Sequence, residues 1–340
     1  MNSRERVTAA LRCEEPDHVP WCELQVDPFL ADQLMEWGAT EDQTFNLEKQ
    51  QYTPTQARSI ASKLNIDNIT YVLRAEVYAN KEMGKDGRLF YREGFIRTPE
   101  DMQLINLPDP TNQELYAEAA EFTEQKGDFS AWFMTRIGIF STMLSIGLER
   151  FAINLIDQPD FVEDVLDIYC DWICVVAENV CDLGFDVFVS TDDLAFKTTT
   201  FFSPEVFHDL VLPRYQRVRK KISLPWLIHS DGNMMPFMDD LLSLNIAGFH
   251  PCEQGAMDIR LMKQMYGDRL CLMGNVDLNL LCDASPSEVE AEVQALIRDL
   301  APGGGYILSS GNSLAGYLKP ENILAMREAV KRIGRYPIVV

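Results

Sequence analysis

The sequence predicts an α/β fold of the (β/α)8 TIM-barrel class, and three observations predict it. Short runs rich in apolar, β-branched and aromatic residues recur eight times, stretches with helical periodicity separate them, and a polar or ionisable residue follows each run. The runs are residues 19–23, 69–73, 131–136, 186–191, 225–229, 247–250, 270–274 and 305–309. Apolar strands alternating with helices imply a parallel sheet covered by helices, because a strand buried on both faces has no polar side to show. Eight such units favour closure into a barrel over an open sheet.

The connecting elements carry their own signals. An N-terminal helix is expected ahead of the first run. Between the second and third runs lies an excursion over about residues 74–130, too long for one crossover helix. Within it Asp86-Gly87, flanked by Glu82-Met83 and Leu89-Phe90-Tyr91, has the chemistry of a hairpin turn. Pro159 opens an apolar-periodic stretch that Gly184 closes, and Cys170, Cys174 and Cys181 recur in it at helical spacing, as reduced thiols packed like small hydrophobes. Ser203-Pro204 offers an N-cap followed by proline at the first helical position. Ser285-Pro286-Ser287-Glu288 has the spacing of a capping box, and Pro320 starts a last helix that ends near Gly334. Gly303-Gly304-Gly305 precedes a strand instead of opening a helix, so it reads as a tight turn and not as a phosphate loop. No internal repeat or linker-like stretch divides the chain, and residues 1–340 are read as one domain.

Composition bounds the function. A hydrophobic content of 46% with 24% charged residues is that of a soluble globular chain. The 52 acidic residues against 30 basic ones give a formal charge of -22, which argues against a phosphate-tracking nucleic-acid surface. No apolar run is long enough to cross a membrane, and Met1-Asn2-Ser3-Arg4-Glu5-Arg6 lacks the apolar core of a signal peptide, so the expected address is the cytoplasm. The eight cysteines contain no C-x-x-C pair.

A barrel enzyme places its chemistry where its strands end. Those ends here carry Glu23 and Gln25, Arg74 and Glu76, Arg136, Asp192 and Asp193, His229 and Asp231, His250 and Glu253, Asn275 and Asp277, and Ser310 and Asn312. Two metal-ligand sets are available. His229 and Asp231, two residues apart and on one face of the chain, can be completed by His250, Cys252 or Glu253. Alternatively Asp193, His208 and His229 form an oxygen and nitrogen triad, with His208 about a turn inside the helix that Ser203-Pro204 opens. Arg74 and Arg136 are candidates to clamp a carboxylate or phosphate. Asp192, Asp231 and Asn275 are candidates for the chemical step, and Glu23 and Asn312 for contacts to substrate.

Several segments, in order, resemble the uroporphyrinogen decarboxylase family: Ser3-Arg4-Glu5-Arg6-Val7 through Glu15-Pro16-Asp17-His18-Val19-Pro20, Asp192-Asp193-Leu194 leading to Ser203-Pro204-Glu205, His229-Ser230-Asp231-Gly232, Gly274-Asn275-Val276-Asp277, and Pro320-Glu321-Asn322. The resemblance covers nearly the whole chain and implies a (β/α)8 barrel. It also implies a choice between two chemistries. The tetrapyrrole decarboxylases of the family carry R-Q-A-G-R near the N-terminus to grip substrate carboxylates, whereas Val19-Pro20-Trp21-Cys22-Glu23-Leu24-Gln25-Val26-Asp27 has no arginine. The other branch, the corrinoid-dependent methyltransferases, includes members that hold zinc with H-x-C and a late cysteine. This chain has His229-Ser230-Asp231 there and Ser309-Ser310-Gly311-Asn312-Ser313 late, without a cysteine in either place. A harder ligand set suits polarising an ether oxygen so that a methyl group can leave it. Relatives of the aromatic-ether O-demethylase type are similar in the spacing of Asp193, His208 and His229.

The resemblance therefore implies a methyltransferase that moves a methyl group from a small methylated substrate, methoxylated aromatics included, to a corrinoid protein with the help of zinc. His229 is the central ligand, completed by Asp193 and His208 or by Asp231 and His250. The alternatives are a tetrapyrrole decarboxylase and a non-catalytic binding protein on the same barrel.

Overall fold

The computed structural model describes residues 1–38, 48–84 and 89–338. Nine strands are assigned among them: β1 Asn68–Val72, β2 Ala79–Met83, β3 Leu89–Gly94, β4 Ser130–Thr135, β5 Val187–Thr191, β6 Trp226–His229, β7 Gly248–His250, β8 Cys271–Met273 and β9 Tyr306–Ile307. Seven of them form one parallel sheet in the order β1-β4-β5-β6-β7-β8-β9, and β2 and β3 form a separate antiparallel hairpin. Seven of the eight predicted runs are thus strands: β1 and β4 keep the expected length but start one residue earlier, and the other five are shorter than expected.

The run at 19–23 is the exception, and the sheet is open there instead of a closed eight-stranded barrel. Trp21 makes a single parallel bridge to Leu308, with Cys22 N–H donating to Leu308 at 3.0 Å and Leu308 N–H donating to Pro20 at 2.9 Å. On the β1 side the backbone N–H groups of Trp21 and Glu23 donate to the side chains of Asp67 and Asn68, at 3.1 and 3.0 Å. Side chains have taken the acceptor positions that a ladder gives to carbonyls, and Pro20 has no N–H to offer. The run therefore lies between the two edge strands without becoming a ladder strand.

Helix punctuation behaves as the sequence predicts. Ser3–Leu11 is the N-terminal helix, with a capping box between Asn2 and Glu5. Pro159–Cys181 is the long helix, and Gly184 follows it at φ 89°. Ser203 caps Pro204–Val206, Ser285 and Glu288 make the capping box of Pro286–Leu300, and Pro320–Ile333 ends at Gly334. Between Leu300 and β9 the three glycines all have positive φ, which is the tight turn expected. The predicted hairpin exists as β2 and β3, while its Asp86-Gly87 turn lies outside the described residues. No single helix among the described residues is long and apolar enough to cross a membrane.

Strand alternation sets up two cores. Outward residues such as Phe133, Phe188, Trp226 and Phe249 pack under the helical layer. Inward residues Val72, Trp132, Met134, Val187, Val189, Leu227, Met273 and Ile307 meet Val7, Ala10 and Leu11 of the N-terminal helix, which plugs one end. Two-residue periodicity then carries the inward face on to Arg74, Arg136, Thr191 and Asp193, His229 and Asp231 at the other end. The site is the continuation of the inner core.

Candidate functional site

Beyond Met134 and Leu24 the inner face opens into a cavity of about 370 Å³ whose lining includes Gln25, Glu48, Arg74, Lys81, Tyr91, Arg136, Phe140, Thr191, Asp193, His229 and Asn312. The hairpin supplies Lys81, Leu89, Phe90 and Tyr91, so the excursion between β1 and β4 forms one wall.

One end of the site is an acceptor cluster. His229 Nε2 lies 3.7 Å from an Asp193 carboxylate oxygen and 3.9 Å from Asp231 Oδ1, and the ligand atoms of all three residues fall within 4.8 Å of one another. Asp193 also accepts the Asp231 N–H at 3.2 Å, which ties the ends of β5 and β6 together. Asn312 donates to Asp231 Oδ2 at 2.7 Å, while Asp231 Oδ1 is buried without a hydrogen-bond partner. Burial pushes the Asp231 carboxyl up to about 6; His229 works against the shift, and Asp193 and Glu253 add to it. A buried carboxylate oxygen left bare beside a second carboxylate and an imidazole nitrogen is a donor set that fits a divalent cation of zinc type.

Gly232 explains the tight turn that follows. Its φ is 86°, and a Cβ there would meet the Ala195 carbonyl oxygen at 2.4 Å, so the close approach of the β5 and β6 loops requires glycine. Its N–H donates to Glu253 at 2.8 Å, and Glu253 pairs with Lys197 at 3.1 Å.

At another part of the wall Arg74 and Arg136 lie side by side. Arg136 makes a bidentate pair with Glu48, both contacts at 2.8 Å, and stacks over the Phe140 ring at 5.3 Å. Arg74 lies 3.4 Å from Glu48 and donates to Thr191 Oγ1 at 2.8 Å. Burial opposes the charge on Arg136, and Glu48 more than offsets this, so its pKa stands above the ordinary arginine value. In Arg74 burial prevails and the pKa is lowered. Glu48 and Lys81 carry no sequence signal, since neither follows a strand of the parallel sheet.

Several expected site residues are elsewhere. Asp192, adjacent to Asp193, has the opposite parity: its carboxylate accepts backbone N–H groups from Ile137, Phe140 and Gly138 at 2.6, 3.0 and 3.4 Å, at the start of the helix Ile139–Ile146. It holds a helix N-terminus and does not line the cavity. His208 is in a π-helical turn, Phe207–Val211, with its side chain 63% exposed and paired with Asp240 at 3.2 Å, so it does not join the ligand cluster. His250 is fully buried behind His229, their Nδ1 atoms 2.7 Å apart, and is not one of the converging ligands. Glu23 accepts from Trp21 Nε1, Ser310 N, Ser310 Oγ and Ser309 Oγ, and so latches the 19–23 run to the end of β9 instead of facing substrate. Burial pushes its carboxyl up to about 7 against those four donors. Asn275 is buried, donates to the Cys252 carbonyl at 2.6 Å and stays outside the cavity lining. Cys252 is likewise buried, and burial raises its thiol pKa.

Comparison with known proteins places this geometry in a lineage. A family model described as Uroporphyrinogen decarboxylase (URO-D) matches residues 2–333. The curated uroporphyrinogen decarboxylase of Methylococcus capsulatus is 36% identical over 254 residues, 69% of each chain. That of Erwinia tasmaniensis is 33% identical over 78 residues, and the match spans 23% of this chain and only 22% of the relative's length. Among solved structures, a methyltransferase from Methanosarcina mazei superposes with a TM-score of 0.79 over 98% of this chain and 99% of its own, at 20% identity, a likeness of fold. With the family model spanning nearly every residue and a relative of that name matched over two thirds of both chains, the chain belongs to the uroporphyrinogen decarboxylase (URO-D) family.

Proposed function

We propose that this protein is a methyltransferase that takes a methyl group from a small methylated substrate, an aromatic methyl ether being the preferred class, and delivers it to a corrinoid protein. The observation that carries this reading is the convergence of Asp193, His229 and Asp231 on one point beside the cavity. These three side chains, and not His208 or His250, would hold the zinc. A zinc ion so held would draw electron density from an ether oxygen and make it a better leaving group.

The remaining work falls to the chain itself. Asn312 keeps the Asp231 carboxylate oriented through its 2.7 Å hydrogen bond. Arg136 and Arg74, partly neutralised by Glu48, would orient an anionic substituent, and Phe140, Leu89 and Phe90 provide apolar wall for an aromatic body. In the transfer the C–O bond breaks with its electron pair remaining on oxygen, and the methyl group passes to cobalt(I) of the acceptor. The 19–23 run, hydrogen-bonded to both edge strands, is read as the element that completes the barrel around this site.

Zinc content of the purified protein and of His229→Ala, together with methylation of free cob(I)alamin from a methoxylated aromatic, tests the proposal. The expected result is zinc and methyl transfer in the wild type and neither in the variant. Equal zinc in both would remove the central assignment.

The second reading, tetrapyrrole decarboxylation, is favoured by the name of the Methylococcus capsulatus relative. Against it stands the cavity wall at Leu24 and Gln25, where no arginine is present to meet substrate carboxylates. Incubation with uroporphyrinogen separates the two, since a product with fewer carboxyl groups would overturn methyl transfer.

A further inference from the structure

Behind the acceptor cluster is a row of buried hydrogen-bonding groups that the proposed chemistry does not use. His250 Nε2 faces two oxygens, the Ser310 carbonyl at 3.3 Å and the Ser309 hydroxyl at 3.4 Å. A carbonyl oxygen can only accept, and the Ser309 hydroxyl gives its proton to Glu23 Oε2 at 3.3 Å. The His250 ring must therefore donate from Nε2. His250 is completely buried and its ring nitrogens face a backbone carbonyl, a hydroxyl and a second imidazole, with no carboxylate to balance a charge, so the ring is neutral and its Nδ1 is bare. That bare nitrogen sits 2.7 Å from His229 Nδ1, which must then be the donor. With Nδ1 holding its proton as that donor, the nitrogen left to bind a metal ion is Nε2, the atom that faces Asp193 and Asp231.

We infer that His250 is a positioning residue: together with the Ser309-Ser310 corner and the Glu23 latch it fixes His229 in the Nδ1–H tautomer and thereby presents Nε2 as a ready-made ligand. The inference rests on the metal reading above only for its consequence, since the proton order follows from the hydrogen bonds and the burial of the His250 ring. Metal-ligating histidines commonly donate their second nitrogen to an oxygen acceptor. Here the acceptor is a second imidazole, whose own tautomer is set by a backbone carbonyl. Glu23, expected to meet substrate, acquires a different task, because its three hydrogen bonds from Ser309 and Ser310 hold that corner against His250.

The test uses the full-length protein and two variants. His250→Asn places an amide oxygen where Nδ1 was and can still accept from His229, whereas His250→Leu cannot. Histidine 15N NMR on metal-free wild type should show His229 protonated on Nδ1 and bare on Nε2, and a proton on Nε2 would overturn the inference. Titration with Co2+, followed by its visible absorption, should show affinity falling about 10–100-fold in His250→Leu and recovering most of that loss in His250→Asn. Equal affinity in all three proteins would also overturn it. Circular dichroism identifies a variant that fails to fold, and in that event the wild-type NMR spectrum decides. If the wild type binds no Co2+, the metal reading fails while the tautomer measurement still judges the positioning role.

Discussion

Replacing Asp231 by asparagine separates two properties of one carboxylate. Without metal, burial pushes this carboxyl from 3.8 up to about 6, and the nearby Asp193 and Glu253 contribute. An acid whose folded-state pKa lies above its unfolded value binds more protons when folded, so wild-type stability falls as pH rises from about 4 to about 6 and is level above that. The displacement corresponds to ~3 kcal/mol against the ionised form. With the side chain 32% exposed, solvent screening reduces this to about 1–2 kcal/mol. Asp231→Asn removes the charge and keeps an oxygen for Asn312, so the metal-free variant should be the more stable protein at neutral pH. For a chain of this length the unfolding entropy is ~0.7 kcal/mol/K, and the gain appears as about 2 °C in melting temperature. Toward about pH 4 the gain should fade, because the folded wild-type carboxyl is then protonated and carries no buried charge. Zinc should reverse the order: at about 100 times its Kd it adds ~2.7 kcal/mol to the wild type, while the variant has lost one of its three ligands. Scanning calorimetry across the pH range, with a chelator and then with zinc, measures both effects. A metal-free variant less stable than the wild type at neutral pH, or a difference that does not vary with pH, would refute the reasoning.

Three further perturbations have defined outcomes. Glu48→Ala leaves Arg136 buried beside Arg74 without its bidentate partner, and should lower stability by about 3 kcal/mol in denaturant unfolding; benzoate should restore more of the loss in the variant than it adds to the wild type. Gly232→Ala forces a side chain at φ 86° against the Ala195 carbonyl, and should cost about 2–4 kcal/mol and weaken metal binding measured by calorimetric titration. His208→Ala should leave zinc affinity unchanged and stability within about 0.5 kcal/mol, because its side chain is exposed and its pair with Asp240 is on the surface; a loss of bound zinc would return His208 to the site.

What was legible in the sequence was what local chemistry dictates. Ser285 with Glu288, Ser203 with Pro204 and the three glycines before β9 act within a few residues, and they behave as their spacing predicts. The inner strands were legible because burial on both faces leaves a continuous apolar run. The 19–23 run has the same composition but is held by Asp67 and Asn68 side chains, a long-range arrangement with no local signature. In the site, His229 with Asp231 followed from their spacing of two, and Asp193 from its position beyond β5. Glu48 reaches Arg136 from 88 residues away in sequence, and no pattern marks it. The place of His208 has no such signature, because a helix can point a histidine toward solvent as easily as toward a site, and only packing decides which.

The opposite parity of Asp192 and Asp193 has an evolutionary consequence. Two neighbouring codons serve separate masters: one anchors a helix through backbone amides and tolerates little change, while the other projects into the cavity and is free to be exchanged for whatever the reaction demands. Along β4, β5 and β6 the same division recurs, so selection can rewrite the inward alternate positions while the outward ones preserve the scaffold. A single-residue deletion near a strand end would be far more damaging than several substitutions, since it would hand the anchor's task to the variable position and the reverse. New activities on this framework should therefore arise by point replacement, with insertions confined to the excursion that carries β2 and β3.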